Sequence, residues 1–136
     1  MTGMPASFAA ASSGELSESA EVLLQDDAYT RLAPDFIYVE VGAVAWKHVR
    51  KSEVDEATAK DALAELRRLA LVLTPSPDLV SAALDLALQT KRSVYDCLYL
   101  ALAVRSRNPL ITADRKFFAA IKAGPLAEHI AWVGDL

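Results

Sequence analysis

The chain has 136 residues, 53% of them hydrophobic and 24% charged, a composition that fits one folded domain and excludes a disordered chain. Its formal charge of −4 argues weakly against non-specific affinity for nucleic acid. No uncharged apolar run approaches the ~18 residues of a membrane span, the first residues lack the basic start of a signal peptide, and the lone Cys97 excludes an internal disulfide, so we expect a soluble, cytoplasmic protein.

In chain order, residues 1–14 are small, polar and the least regular, with Ala6 to Ala11 able to form a short helix. Leu16, Ala20, Leu23 and Leu24 have helical spacing over Glu15 to Gln25. Tyr29 to Ala33 reads as a short strand or turn stopped by Pro34. Asp35 is placed to cap a helix from Phe36 to about Lys51 that turns Ile37, Val41, Val44, Ala45 and Trp46 inward. A strand over Phe36 to Val41 competes, but the apolar character continues through Trp46 and ends in basic residues that suit a helix C-terminus.

Ser52 to Glu56 is a turn and helix start, and Ala57 to Leu69 an amphipathic helix with Ala59, Leu63, Leu66 and Ala70 facing inward. Leu71 to Leu73 is a short buried strand closed by Thr74-Pro75-Ser76-Pro77, and Ser76 or Asp78 opens a helix over Leu79 to Leu88. From Val94 to Val104 every residue except Asp96 is apolar or aromatic, without Gly or Pro, which predicts a helix buried on all sides. Pro109 to Thr112 is a fully buried strand followed by Asp114. Arg115 to Lys122 is a helix, Gly124-Pro125 breaks it, and Ile130 to Val133 is a last strand. Short apolar strands alternating with helices predict an α/β domain with a mainly parallel sheet, whose ligand cleft lies off the carboxyl ends of its strands.

Three acids stand in apolar surroundings at helix starts: Glu40, Asp96 and Asp114. Each has a simple structural explanation. Ser93 and Asp96 have capping-box spacing, Asp114 is a natural N-cap, and Glu40 needs only an Arg or Lys partner. If they converge, each raises the others' pKa, and a divalent cation removes that penalty. Oxygen donors favour Mg²⁺ or Mn²⁺, and the isolated His48 and His129 are not expected to be ligands. Such an ion lowers the pKa of a bound water and steadies charge on a phosphate. Basic residues are bunched, among them Lys47, His48, Arg50 and Lys51, and Lys91 with Arg92; solvated helix ends explain any single bunch.

The sequence resembles the PIN domain family, and within it the VapC-type toxins of toxin–antitoxin pairs. Ala33-Pro34-Asp35 with Glu40-Val41 and Trp46-Lys47, Ser93-Val94-Tyr95-Asp96 with Leu98 to Ala103, and Leu110 to Asp114 carry the resemblance, in order and in spacing. It implies a three-layer α/β/α sandwich over residues 1–136 and an endoribonuclease requiring Mg²⁺ or Mn²⁺. It also implies an RNA substrate, an antitoxin partner whose C-terminal segment lies along the site, and a homodimer. By position, Glu40, Asp96 and Asp114 match three of the family's acids, while Ser7 and Thr112 match supporting positions. The family's first acid has no counterpart. Pro5 stands in its place, and the strand before it is reduced to Met1 to Met4. Loss of a metal ligand of that kind would slow hydrolysis on the order of 10²-fold, and an absent central strand would leave its neighbours' amides unpaired unless another segment fills the gap.

Overall fold

The computed structural model describes the backbone of Ala6–Phe8 and residues 30–135. The expected helix over Glu15 to Gln25, Pro5 and the segment Met1 to Met4 lie outside the described residues. Five strands form one parallel sheet: β1 (Ala6–Phe8), β2 (Arg31–Pro34), β3 (Leu71–Thr74), β4 (Leu110–Thr112) and β5 (Ile130–Trp132). Their order across the sheet is β3-β2-β1-β4-β5. Among the described residues, five α-helices accompany them: α1 (Ile37–Arg50), α2 (Glu56–Arg68), α3 (Ser76–Thr90), α4 (Val94–Ser106) and α5 (Arg115–Lys122).

The centre of the sheet is the first departure from expectation. Ala6–Phe8 is a strand, not the start of a helix, and it occupies the centre of the sheet. Ser7 pairs with Leu32 on one side and Leu110 on the other. A three-residue strand suffices there because β4 is equally short. The β1–β2 register stops at Leu32, so Pro34, which has no N–H to give, sits beyond it and pairs only with Thr74 of β3. That is why β2 runs through Pro34 and does not stop before it.

Period-two alternation divides the core between the two faces of the sheet. Leu32, Leu110 and Ile130 meet α4, which is backed by α3 and α5; Tyr99, Leu100, Ala103, Phe117 and Ile121 join one cluster, and Leu79, Ala83, Cys97, Leu98, Ala101 and Leu102 another. On the opposite face, Ala33 packs with Ile37 of α1 and Leu66 of α2. The result is the expected α/β/α layering of a PIN-like fold. α4 is buried continuously from Asp96 to Ala103, as the middle of its apolar run predicts, while Tyr95 and Val104 near the ends of that run are exposed.

Ala70, just after α2, is exposed where it was expected to face inward, and two larger burial expectations fail. Trp46 lies 61% exposed, stacked under the Arg50 guanidinium 5.3 Å from its ring. α1 is a two-sided helix at the flank of the domain, and hydrophobicity alone could not say which side would be covered. β3 is an edge strand, so Val72 and Leu73 are exposed where a buried strand was expected. Asp35 does not cap α1, whose start at Phe36 has no side-chain cap. Its carboxylate accepts instead from the backbone N–H of Ser76 at 2.9 Å and from the Ser76 hydroxyl. It thereby ties the carboxyl end of β2 to the first turn of α3, a long-range bond that local spacing cannot reveal.

Candidate active site

Because every strand is parallel, all carboxyl ends open on one edge of the sheet, and the three acids approach that edge from separate elements. Glu40 lies in the first turn of α1, just beyond β2. Asp96 lies in the first turn of α4, which begins at the N-cap Ser93; the Ser93 hydroxyl accepts from the Asp96 N–H at 3.1 Å. Asp114 follows β4 and caps α5, its carboxylate accepting from the Phe117 N–H at 3.1 Å. Thr112 is buried and its Oγ1 accepts from the Asp114 N–H at 3.0 Å. Ser7 is placed by its backbone in the middle of the sheet, next to Leu110; its hydroxyl lies outside the described side chains.

Glu40 and Asp96 line one cleft of about 460 Å³ together with Phe36, Val39, Lys47 and Tyr95. Tyr95 is 61% exposed and stacks on Phe36 with ring centroids 5.2 Å apart. The partner of Glu40 is neither Arg nor Lys. The buried Tyr99 hydroxyl donates to its Oε1 at 2.7 Å. Burial pushes the Glu40 carboxyl up to about 7; the Tyr99 hydrogen bond opposes the rise and the Asp96 charge adds to it. Tyr99 is itself driven upward, first by burial and then by the carboxylates of Glu40 and Asp96.

Asp96 is handled differently. Only half of the capping box forms, for the Asp96 carboxylate accepts from Arg92 Nη2 at 3.1 Å. The same Nη2 lies 3.8 Å from Asp114 Oδ2, so one guanidinium stands between two acids. Burial raises the pKa of Asp96, Arg92 and Ser93 oppose the rise, and Asp114 adds to it. Glu40 is therefore coupled to Asp96, and Asp96 to Asp114, in one electrostatic chain.

Sequence reasoning placed Arg92 in a solvated basic bunch and passed over Tyr99 as core. The available signal was the three-residue interval from Asp96 to Tyr99, which puts those two near one helix face; Arg92 lies in the loop before the helix, where no helical spacing applies.

The donor chemistry suits a hard divalent ion: oxygen ligands, like charges that raise one another's pKa, and an open cleft. Among the described residues, no group of three or more acids, histidines or cysteines is gathered closely enough to hold an ion as it stands. A bound ion would require the carboxylates to turn toward it and Arg92 to yield.

The fold is a parallel α/β/α sheet with acids near its carboxyl edge, and comparison with known families makes the class specific. Residues 7–123 match the PIN domain model, and the chain belongs to that family. It is similar to Ribonuclease VapC3 of Pyrobaculum aerophilum, with 34% identity over 84 residues, covering 60% of this chain and 64% of that protein's length. Among the described residues no helix is long and apolar enough to cross a membrane.

Proposed function

We propose that this protein is a metal-dependent endoribonuclease of the VapC type, the toxin of a toxin–antitoxin pair, acting in the cytoplasm. One observation carries the reading. Glu40 and Asp96 face one cleft and Asp96 is coupled to Asp114, all at the carboxyl edge of a parallel sheet. The PIN membership and the likeness to a ribonuclease support it.

Glu40, Asp96 and Asp114 would hold Mg²⁺ or Mn²⁺. Bound there, the ion supplies Lewis-acid chemistry, acidifying a water and offsetting charge that develops on the phosphate. The remaining roles belong to the chain itself. Tyr99 fixes one oxygen of Glu40 and leaves the other for a ligand. Lys47, whose side chain lines the cleft, provides a cation for a phosphate oxygen. Thr112 holds the Asp114 backbone so that its carboxylate both caps α5 and reaches toward Asp96.

The test is incubation of purified protein with single-stranded RNA and Mn²⁺. Cleavage that stops on EDTA addition and falls at least 100-fold in Asp96→Asn supports the reading, and intact RNA with the wild type overturns it. A second reading is favoured by the absence of any acid before Glu15, where the family's first acid belongs. The protein would then be an inactive PIN-fold module that binds RNA or an antitoxin. It predicts an RNA mobility shift without cleavage. The exposed Val39 and Tyr95, which line the cleft, support an antitoxin segment lying along it. Val80, Leu84 and Leu88, exposed at four-residue intervals on α3, support a homodimer. Sedimentation of wild type and Leu84→Glu checks the latter, with a shift to monomer expected.

A further inference from the structure

We propose that Arg92 is the built-in counter-ion of the acidic cleft and competes with a divalent cation for Asp96 and Asp114. The inference rests on the metal-dependent reading above for the identity of the competing ion, but it is carried by Arg92 itself. Its Nη2 lies 3.1 Å from Asp96 Oδ2 and 3.8 Å from Asp114 Oδ2, and its side chain is only 25% exposed. The guanidinium carbon sits 5.4 Å from the centre of the Phe117 ring, which walls it on one side.

The loop between α3 and α4 delivers it there. Lys91 closes α3 in the left-handed conformation, φ 61°, and the Arg92 N–H donates to Thr90 Oγ1 at 3.3 Å. Ser93 then caps α4, so Arg92 is held between two fixed helix ends. This differs from an Arg drifting over a surface, where pairing with a carboxylate contributes little.

The placement is also incomplete. Arg92 Nε is buried and has no hydrogen-bond partner among the described residues. A donor left unmade in this way costs free energy in the docked position and regains water when the side chain swings out. Arg92 is thus well supplied with carboxylates at its tip and poorly satisfied along its stem, which suits a counter-ion that can be displaced.

A guanidinium and a divalent ion cannot occupy the same carboxylate oxygens, because the two cations repel and each needs the lone pairs the other uses. Occupation by one therefore requires withdrawal of the other. Without an ion, Arg92 holds Asp96 and Asp114 together against their mutual repulsion. With one bound, the released guanidinium stands at the mouth of the site as a free cation. Apparent metal affinity is lowered by whatever Arg92 contributes to the ion-free state, in the way that any competing equilibrium reduces apparent binding.

The experiment is calorimetric titration of Mn²⁺ into wild type, Arg92→Gln and Arg92→Lys, paired with thermal melts of each protein with and without Mn²⁺. Arg92→Gln is expected to bind Mn²⁺ at least tenfold more tightly than wild type. It should also melt lower without the ion and gain more from its addition. Arg92→Lys keeps the charge but loses the planar guanidinium that lies between the two carboxylates, and should fall between them. Should Arg92→Gln not fold, the Lys variant decides alone: tighter binding than wild type supports the proposal, and equal or weaker binding overturns it. A folded Arg92→Gln with unchanged or weaker affinity, in a wild type that does bind Mn²⁺, overturns the role of Arg92 and leaves the nuclease reading standing. Absence of Mn²⁺ binding in all three proteins overturns both.

Discussion

Glu40 and Asp96 border one cleft, yet a neutral hydroxyl meets the first and a guanidinium meets the second. The buried Tyr99 donates to Glu40, which leaves the carboxyl without a compensating charge and lets burial lift it to about 7. Arg92 donates to Asp96 and opposes the effect of burial there. A hydrogen bond from a neutral donor satisfies lone pairs but does not neutralise, whereas an ion pair does both. The two acids therefore differ in what they require of an incoming cation. Glu40 is short of positive charge, and Asp96 must first give some up.

The largest way to break this comparison is to remove the charge of Asp96. Asp96→Asn should lower RNA cleavage at least 100-fold, about 2.7 kcal/mol in barrier height, as read from initial rates at saturating Mn²⁺. Tyr99→Phe comes next. It strips Glu40 of its donor and leaves a partly buried carboxylate unsatisfied, so unfolding in urea should show a loss of about 2 kcal/mol.

Glu40→Gln sharpens the comparison through pH. A carboxyl whose folded pKa is raised to about 7 from an unfolded value of 4.5 binds more protons folded than unfolded between those limits. Its contribution to stability is fully present below 4.5 and is lost as pH climbs through 7. Glu40→Gln should flatten that decline, so wild type and variant diverge between pH 5 and 8 in thermal midpoint, with the variant more stable at the alkaline end. The smallest effect belongs to Trp46→Ala. At an exposed position it should change stability by less than about 0.5 kcal/mol, and a larger loss in urea unfolding would mean that α1 is held more firmly than its exposure implies.

The sequence made the α/β alternation legible because each element carries its own period. The continuous apolar run of α4, the buried strand β4 and the cap at Asp114 could all be read locally. Pairing partners could not. Asp35 looks like the cap of the helix beside it and instead bonds to Ser76, 41 residues away. Glu40 finds Tyr99 across 59 residues, a distance at which no spacing rule operates. Arg92 was hidden for a different reason: beside Lys91 it looked like an ordinary basic helix end, and only the left-handed turn at Lys91 separates their fates. Trp46 and Val72 show the remaining limit, since hydrophobicity states what should be covered and not whether anything covers it.

The strand Ala6–Phe8 joins two halves of the sheet that otherwise share no strand pairing. On one side lie β2 and β3, and on the other β4 and β5. Ser7 must find Leu110, more than a hundred positions along the chain, before those halves become continuous. Closing so long an interval is entropically slow, so the last event in assembly should be the insertion of Ala6–Phe8, after the helices have formed. α4, which packs on Leu32 of one half and on Leu110 and Ile130 of the other, can hold the halves near each other beforehand. The acids contributed by opposite halves, Glu40 from one and Asp114 from the other, would be fixed relative to one another only when that small wedge slides home.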